Sequence, residues 1–399
     1  MQFVIFFFWV SLTILFFCYI GYGILLFLFN KIKLFFTRYK KDNELEELVP
    51  VTLVVAVYNE AAILEAKIKN TFNIDYPAEK LQVIFVDDGS SDNSSRIIKQ
   101  YPSIKLLQQP ERKGKPAAIK KAMQIVQTPV VIFSDANAML NEKCIRKMVP
   151  HYANQKIGGV AGEKRIFRNQ HVSAVGEAEG FYWQYESFMK KQDADFNTVV
   201  GAAGELYSIR AALFTELDDD LILDDFITSM QVCLKGYRIK YEPGAYSTET
   251  PSASLAEEEK RKTRISAGAY QSIGYLKKAM NIFKYPMLAF QYISRRFLRW
   301  TFCPLMLIIL LMTNIFIMNS HSQNNFYSWF MYAQILFYGL ALLGWLFVRM
   351  GWRTGIMNIP FYFVFMNYCL VNGFITFLRG QQTVLWKKSV RETIQAIPD

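Results

Sequence analysis

The sequence predicts an α/β domain with a mostly parallel sheet, set between apolar segments that cross a membrane. From about residue 50 to residue 140, short β-branched and aromatic runs alternate with segments whose apolar residues recur at helical spacing. That alternation is typical of a parallel sheet covered by helices on both faces. Outside this region, four segments carry no charge, and all meet or nearly meet the roughly 20 residues that span a bilayer.

The elements of the middle region follow in chain order. VTLVVAV predicts a first strand and AAILEAKIKNTF a helix; LQVIFV predicts a second strand, followed by a helix, and SIKLL a third strand. GKPAAIKKAMQIVQ predicts a helix, because its proline stands near the start, where a missing N–H is tolerated. The stretch that begins TPVVIFSD predicts a fourth strand, which ends at Ser134-Asp135.

The four uncharged segments are residues 3–29, 301–318, 326–348 and 356–378. The first is too long for a signal peptide, and it lacks a basic start and a small-residue cleavage site. Basic residues at 31–41 follow it, so the positive-inside rule places that end in the cytoplasm. The predicted division is a transmembrane helix (1–30), a basic juxtamembrane linker (31–49), a cytoplasmic α/β domain (50–280), an interfacial amphipathic helix (281–300), transmembrane helices (301–378) and a basic tail (379–399).

Charge and cysteine content exclude several classes of protein. The net charge of +11 comes mostly from clusters beside the apolar segments. No basic recognition helix or RNA-reading signature occurs, so nucleic acid is not an expected partner. The five cysteines include no CxxC pair, which argues against a zinc site or a disulfide framework.

Polar residues follow three of the predicted strands: Asn59-Glu60, Asp87-Asp88 and Asp135-Asn137. In parallel sheets, ligands bind at the carboxyl ends of the strands. No GxGxxG follows the first strand and no GxxxxGK[ST] occurs, so dinucleotide and P-loop sites are disfavoured. Acidic strand ends without such a loop suggest that Mg²⁺ or Mn²⁺ holds phosphate groups there.

The ordered set AVYNE, VDDGSSDNS, SDAN, GAAGELYSIR and DDF resembles the inverting nucleotide-sugar glycosyltransferases of family two. These are GT-A enzymes that include hyaluronan, chitin, cellulose and poly-N-acetylglucosamine synthases. The resemblance covers residues 50–271 by motif. It implies a GT-A (Rossmann-like) cytoplasmic domain with flanking transmembrane helices, in a bacterial inner (plasma) membrane.

The resemblance also implies transfer of a sugar from a UDP-sugar to a growing polysaccharide, with membrane lipids and accessory secretion proteins as further partners. Two alternatives stay open. One is transfer of a single sugar to a polyprenyl or other lipid acceptor, and the other is a non-catalytic membrane scaffold.

The resemblance implies which residues bind the donor, either through a metal ion or directly. Asp135 and Asn137 occupy the place of the family's DxD motif and are the expected ligands of Mg²⁺ or Mn²⁺, although an asparagine amide brings no charge. Arg261 and Arg264 are expected to stabilise the leaving UDP. The residues expected to bind the nucleotide sugar are Ala56, Tyr58, Glu60, Asp87, Lys113, Lys115, Asp135, Arg261 and Arg264.

Inverting transfer needs a base that takes the proton of the acceptor hydroxyl. Asp225 stands where the family carries that base, and Asp224 is expected to raise the pKa of the pair by like-charge repulsion. Ile265 replaces the tryptophan that stacks on the acceptor sugar in processive members, which puts processivity in doubt. The residues expected near the acceptor are Gly201, Gly204, Glu205 and Trp386.

The C-terminal tail presents a conflict. If all four segments cross the membrane with the amino terminus outside, the tail lies outside too, yet its basic residues favour the cytoplasm. A cytoplasmic tail agrees with the resemblance, because processive synthases close an aromatic residue and a lysine over bound UDP. We therefore expect the tail to approach the catalytic pocket from the cytoplasmic side, and a basic tail resting on lipid headgroups stays open as the alternative.

Overall fold

A computed structural model describes residues 1–36, 48–167, 174–320, 325–352 and 355–385 of the 399-residue chain. Most of the predicted basic linker and the end of the tail, including Trp386, lie outside the described residues.

One eight-stranded sheet forms the centre of the described middle region, in the order β3-β2-β1-β4-β7-β6-β8-β5. Strands β1 to β4 pair in parallel, as the sequence predicts. The other half of the sheet is mixed: β7 runs antiparallel to β4 and β6, and β8 pairs in parallel with β6. The strands are β1 (Val51–Val57), β2 (Leu81–Asp87), β3 (Lys105–Gln108), β4 (Val130–Asp135), β5 (Met139–Leu140), β6 (Ile157–Ile166), β7 (Tyr207–Arg210) and β8 (Arg238–Glu249).

Helices cover both faces of this sheet, because its central strands are apolar on both sides. Within β1, Val54 belongs to one buried cluster and its neighbour Val55 to the other, since successive strand side chains point to opposite faces. The helices of this region are α3 (Ala61–Phe72), α4 (Ser94–Ile98), α5 (Lys115–Met123), α6 (Cys144–Met148), α7 (Ala174–Phe196), α8 (Asp224–Leu234) and α9 (Leu255–Tyr275).

The apolar segments form long helices at both ends of the chain. Within the described residues, three are long and apolar enough to cross a membrane: Gln2–Phe36, Asn325–Arg349 and Gly355–Leu378. A fourth span results if a helix pair that bends by 58° after residue 301 counts as one. The helices are α1 (Gln2–Phe16) and α2 (Tyr22–Phe36), joined by a π-helical turn, then α10 (Pro286–Tyr292), α11 (Leu298–Thr301), α12 (Cys303–Asn319), α13 (Asn325–Arg349) and α14 (Asn358–Leu378).

The predicted interfacial helix corresponds to α10, a π-helical turn and α11. Two of its three arginines are buried in protein. Arg295 and Arg299 donate to Glu186 of α7 at 2.8 and 2.9 Å, and Arg295 also pairs with Asp193. Breaking such a buried pair would leave an uncompensated charge, so these contacts fix α7 against this segment.

The last apolar helix, α14, packs against α9 of the sheet domain along much of its length. Tyr362 near its start donates to Glu258 at 3.0 Å, and Phe374 near its end contacts Tyr270 with ring centroids 5.0 Å apart. A Cβ atom on Gly373 would lie 2.8 Å from the Ala267 backbone nitrogen, so glycine permits the close approach. The chain after α14 therefore leaves beside the sheet domain.

Candidate active site

A cavity of about 1840 Å³ opens at the carboxyl ends of β1 and β4. It is larger than the roughly 300–1,000 Å³ of a typical small-molecule pocket, so it has room for two substrates. Its lining runs from Ala56 and Asp135 at the strand ends to Tyr19, Tyr362 and Asn367 on the membrane helices. The predicted residues that line it are Ala56, Tyr58, Glu60, Lys115, Asp135, Asn137, Gly201, Gly204, Glu205, Asp224, Asp225, Arg261 and Arg264.

Hydrogen bonds join the loops after β1 and β2. Asn59 has a φ of 54°, a left-handed conformation that asparagine adopts more readily than most residues. Its backbone N–H donates to Ser90 Oγ at 2.9 Å, and its side-chain oxygen accepts from the Ser91 N–H at 2.8 Å. Beside them the Arg112 guanidinium lies 3.7 Å from the centre of the Tyr58 ring. Sequence reasoning missed Arg112, which covers one face of the tyrosine expected to contact the nucleotide.

The Asp87-Asp88 pair shapes loops and does not line the cavity. Asp87 is buried and accepts hydrogen bonds from the Ser90 N–H and the Ser95 hydroxyl. Asp88 accepts from the backbone N–H groups of Lys113 and Gly114, each at 2.8 Å. These bonds satisfy two buried carboxylates. Because Asp87 is not among the lining residues, its expected contact with the nucleotide stays a prediction.

The two lysines of the RKGKP loop lie in different places relative to the cavity. Lys113 is not among the residues that line the cavity, and its expected place beside the nucleotide stays a prediction. Lys115 begins α5 and points inward, where its ammonium group forms an ion pair with Asp135. The basic character predicted for this loop therefore reaches the cavity through Lys115.

Lys115, Asp135 and Asp225 meet at Gly204. A Cβ atom on Gly204 would lie 2.7 Å from Lys115 Nζ, 3.1 Å from Asp225 Oδ2 and 3.6 Å from Asp135 Oδ2. A side chain at this position would collide with Lys115, so glycine lets these charged groups approach the backbone. The sequence places these four residues far apart, and the strand end of β4, the start of α5, the start of α8 and the loop before β7 bring them together.

The electrostatics of this cluster favour a base that titrates near neutrality. Burial and the neighbouring Asp224 carboxylate raise the pKa of Asp225 to about 7, although Lys115 opposes the shift. Burial by itself would lower the pKa of Lys115, but Asp135, Asp224 and Asp225 together raise it well above its usual range. Lys115 therefore stays charged beside a carboxyl group that exchanges its proton near pH 7.

The Asp135–Asn137 segment is held from behind by a residue that sequence reasoning missed. Lys67 of α3 is fully buried and donates to Ser134 Oγ at 2.9 Å and to the Ala138 carbonyl oxygen at 2.5 Å. The spacing of apolar residues predicted the helix that carries Lys67, but it did not indicate that this lysine would be buried. Because Lys67 contacts both sides of the turn, it positions the two expected metal ligands.

The two arginines of α9 differ in their surroundings. The Arg261 guanidinium is paired with Glu179 of α7 at 2.5 Å and with Glu258 at 2.9 Å, and both carboxylates are buried. Arg261 also lines the cavity, and its expected role beside the leaving UDP stays a prediction. Arg264 donates to the Thr383 carbonyl oxygen at 3.5 Å and lines the cavity, where Asp224, Asp135 and Asp225 act on it electrostatically.

The GAAGE loop is held by α8 and by a buried ion pair. Gly201 has a φ of 86°, which favours glycine, and the Ala202 N–H donates to Ser229 Oγ at 2.8 Å. Burial alone would raise the pKa of Glu205, but Lys164, 2.5 Å away, lowers it to about 2. Glu205 is therefore an ionised structural anchor beside the cavity.

Two tryptophans that the sequence did not single out line the cavity, Trp183 of α7 and Trp300 of α11. Ile265 stands where processive members carry a tryptophan, but Trp183 and Trp300 bring indole rings to this site. Aromatic faces of this kind provide large contact area for a ligand at low entropic cost.

The chain after α14 reaches the cavity. Val384 is among the lining residues, and its Cγ2 atom would lie 3.0 Å from a Cβ atom on Gly114. Together with the Thr383–Arg264 contact, this places residues 383–384 beside the carboxylate cluster. Trp386, the expected acceptor-side aromatic residue, lies outside the described residues.

Comparison with a family model identifies a domain of known type. Residues 52–218 match the model described as glycosyl transferase family 2. The chain therefore carries a family 2 glycosyltransferase domain, as its motifs predict.

Curated relatives and a solved structure extend this similarity. The chain is 27% identical over 240 residues to a poly-beta-1,6-N-acetyl-D-glucosamine synthase of Staphylococcus aureus, covering 58% of this chain and 57% of that one. A synthase of the same description from Staphylococcus epidermidis is 23% identical over 257 residues, covering 62% and 61%. The chain thus matches little more than half the length of these relatives.

A mannosyltransferase from Pyrobaculum calidifontis, solved with GDP-Man and Mn²⁺, superposes with a TM-score of 0.67 at 19% identity, covering 94% of this chain and 99% of that one. This likeness establishes the fold as GT-A and includes the helices at both ends. The protein is a membrane protein with that fold.

Proposed function

We propose that this protein is an inverting glycosyltransferase that moves a sugar from a UDP-sugar to a growing polysaccharide at the cytoplasmic face of a bacterial inner membrane. The observation that carries the proposal is the convergence of Lys115, Asp135 and Asp225 around Gly204 in the wall of the cavity. The family 2 domain and the polysaccharide synthases among the relatives support the reaction class.

In this mechanism Asp225 is the general base. Its Oδ1 accepts a hydrogen bond from the Phe226 N–H at 2.8 Å, while Oδ2 lies beside Gly204 in the cavity wall. Oδ2 takes the proton of the acceptor hydroxyl as that oxygen attacks the anomeric carbon. The new carbon–oxygen bond forms as the bond to the leaving diphosphate breaks on the opposite face. A carboxyl group with a pKa near 7 is suited to this exchange at neutral pH.

Lys115 and Arg264 are the cations placed to balance the leaving UDP. Both line the cavity, and both interact electrostatically with the carboxylate cluster. Positive groups fixed where negative charge develops lower the barrier, because they need no rearrangement during the reaction. Tyr58, beneath Arg112, supplies an aromatic wall for the nucleotide.

The residues present fit a divalent ion shared with the substrate. Asp135 and Asn137 line the cavity, and the buried Asp224 Oδ2 has no hydrogen-bond partner among the described residues. Those residues contain no group of three or more His, Cys, Asp or Glu side chains arranged to hold a metal alone. Mg²⁺ commonly binds through one or two carboxylates plus substrate phosphates. When bound by Asp135 and Asn137, Mg²⁺ or Mn²⁺ would neutralise the donor diphosphate.

Transfer of one sugar to a lipid acceptor is a second candidate that one observation favours. The same cavity is lined by Tyr19, Tyr362 and Asn367 of the membrane helices, so an acceptor could enter from the bilayer side. A scaffold without activity is disfavoured, because a decayed site has no reason to keep three buried or half-buried charged groups in contact.

Purified protein incubated with a panel of UDP-sugars separates these functions. Long polymer supports polysaccharide synthesis, a single sugar added to a polyprenyl phosphate supports the lipid acceptor, and the absence of UDP release from every donor would contradict glycosyl transfer.

A further inference from the structure

The wall of the cavity beyond Glu205 carries three buried lysines around one indole ring. The ammonium groups of Lys164, Lys190 and Lys262 lie 4.9, 5.5 and 5.9 Å from the Trp183 ring. All three lysines are at most 4% exposed. Buried ammonium groups are costly unless each has a counter-ion, so the partners of these lysines matter.

The three lysines differ in their partners. Lys164 is paired with Glu205 at 2.5 Å and with Glu249 at 2.7 Å. Among the described carboxylates, Lys262 pairs with Glu258 at 3.7 Å, and that carboxylate already accepts hydrogen bonds from Arg261 and Tyr362.

Lys190 makes neither a hydrogen bond nor an ion pair within the described part of the chain, and it lines the cavity. Burial lowers its pKa, and the nearby carboxylates of Glu205 and Glu186 oppose that shift without reversing it. An anion from outside the protein, bound in the cavity, would provide a charge partner for the Lys190 ammonium group.

We propose that Lys190 and Lys262, beside the Trp183 ring, form a subsite for an acidic group on the acceptor, either a carboxylate or a phosphate. The subsite rests on the proposed glycosyl transfer and extends it to the chemistry of the acceptor. The ring holds the two ammonium groups by cation–π contacts, and these groups recognise the charge of the acidic group.

The position of this subsite suits the acceptor and not the donor diphosphate. Gly204 lies at the carboxylate cluster, and the next residue, Glu205, pairs with Lys164 on the Trp183 side. Adjacent Cα atoms are about 3.8 Å apart, so the two places are neighbours along one wall. Lys115 and Arg264 already provide cations on the donor side.

The test compares three probes on full-length protein in lipid nanodiscs with UDP present. The probes are a neutral N-acetylglucosamine disaccharide, the same disaccharide as its 1-phosphate, and a disaccharide that ends in glucuronate. We expect at least one acidic probe to bind roughly ten times more tightly than the neutral one, the gain typical of a hydrogen bond to a charged group. Preference for the phosphate indicates a lipid-linked sugar phosphate, and preference for glucuronate indicates an acidic glycan.

The variant Lys190→Met should lose this preference, while Lys191→Met, which alters the exposed neighbour, should keep it. The melting temperature of Lys190→Met should not fall, because a buried charge without a counter-ion is removed. Equal binding of all three probes to the unmodified protein would overturn the proposal, as would an undiminished preference in Lys190→Met. UDP binding, measured in the same titrations, distinguishes failure of the subsite from failure of the proposed function. Loss of UDP binding would contradict glycosyl transfer itself.

Discussion

The Oδ2 atom of Asp225 lies 3.1 Å from the place that a Cβ atom on Gly204 would occupy. This closeness joins the start of α8 to the loop before β7 and leaves no room for a side chain between Gly204 and Asp225. The requirement for glycine is steric, because Gly204 is not among the glycines with positive φ.

The first prediction concerns Gly204. Gly204→Ala should lower kcat/KM about 100-fold while the protein folds normally, because the methyl group would displace Lys115 and Asp225, and small misplacements of reacting groups are costly. Gly274→Ala is the matched control, since its Cβ meets nothing within 4 Å. Steady-state kinetics would check this, and ordinary activity in the Gly204→Ala variant would show that the reaction occurs elsewhere.

The second prediction concerns pH. The base form of Asp225 is required, so kcat/KM should rise as the pH increases through about 7 and then level off. Asp224 raises the pKa of Asp225, so Asp224→Asn should move this rise to lower pH. Asp219→Asn, in an exposed loop, should leave the profile in place. If Asp224→Asn leaves the pH profile unchanged, the group whose titration is measured is not Asp225.

The parallel half of the fold could be predicted from the sequence, because local patterns determine it. The structure confirms the predicted limits of β1 and α3, where apolar runs and helical spacing are uninterrupted. The antiparallel half gave no such pattern. In β6, Cβ atoms on Gly159 and Gly162 would lie 2.7 and 2.8 Å from carbonyl oxygens of neighbouring strands, so glycines replace the usual β-branched residues there.

Site residues were predictable where a motif fixes the backbone, and not where distant charges decide a role. Asp135 and Asp225 line the cavity as the resemblance implies. The motif around Arg261 did not indicate that Glu179 of α7, 82 positions away in sequence, would pair with it. Nor could the spacing of α3 reveal that Lys67 would turn inward to hold the loop after β4.

The third prediction concerns the divalent ion. Transfer should stop in excess chelator and return with Mg²⁺ or Mn²⁺. Asn137→Asp should keep or strengthen Mn²⁺ affinity, measured by electron paramagnetic resonance with UDP present, because it adds a second carboxylate. Asn141→Asp, whose side chain bonds to β8 backbone, is the control for added charge alone. Full activity in chelator would remove the metal from the mechanism.

The fourth prediction concerns the tail. Val384 lines the catalytic cavity, so the end of α14 should lie on the same side of the membrane as the sheet domain. A cysteine placed by Leu385→Cys should react with a membrane-impermeant thiol reagent only after cells are permeabilised. Ser320→Cys, at the far end of α12, should react in intact cells. The five native cysteines are buried and give little background. Strong labelling of Leu385→Cys in intact cells would contradict this placement.

The central claim is that Asp225 takes the proton of the acceptor hydroxyl, and Asp225→Asn tests it most directly. The substitution keeps the shape of the side chain and removes its basicity, so UDP binding should stay close to normal while the rate of sugar transfer falls roughly 100- to 10,000-fold, the range typical for loss of a general base. The decisive measurement is the initial rate of transfer, taken beside a UDP titration of the same preparation. A rate above about a tenth of that of the unmodified protein would contradict the assignment.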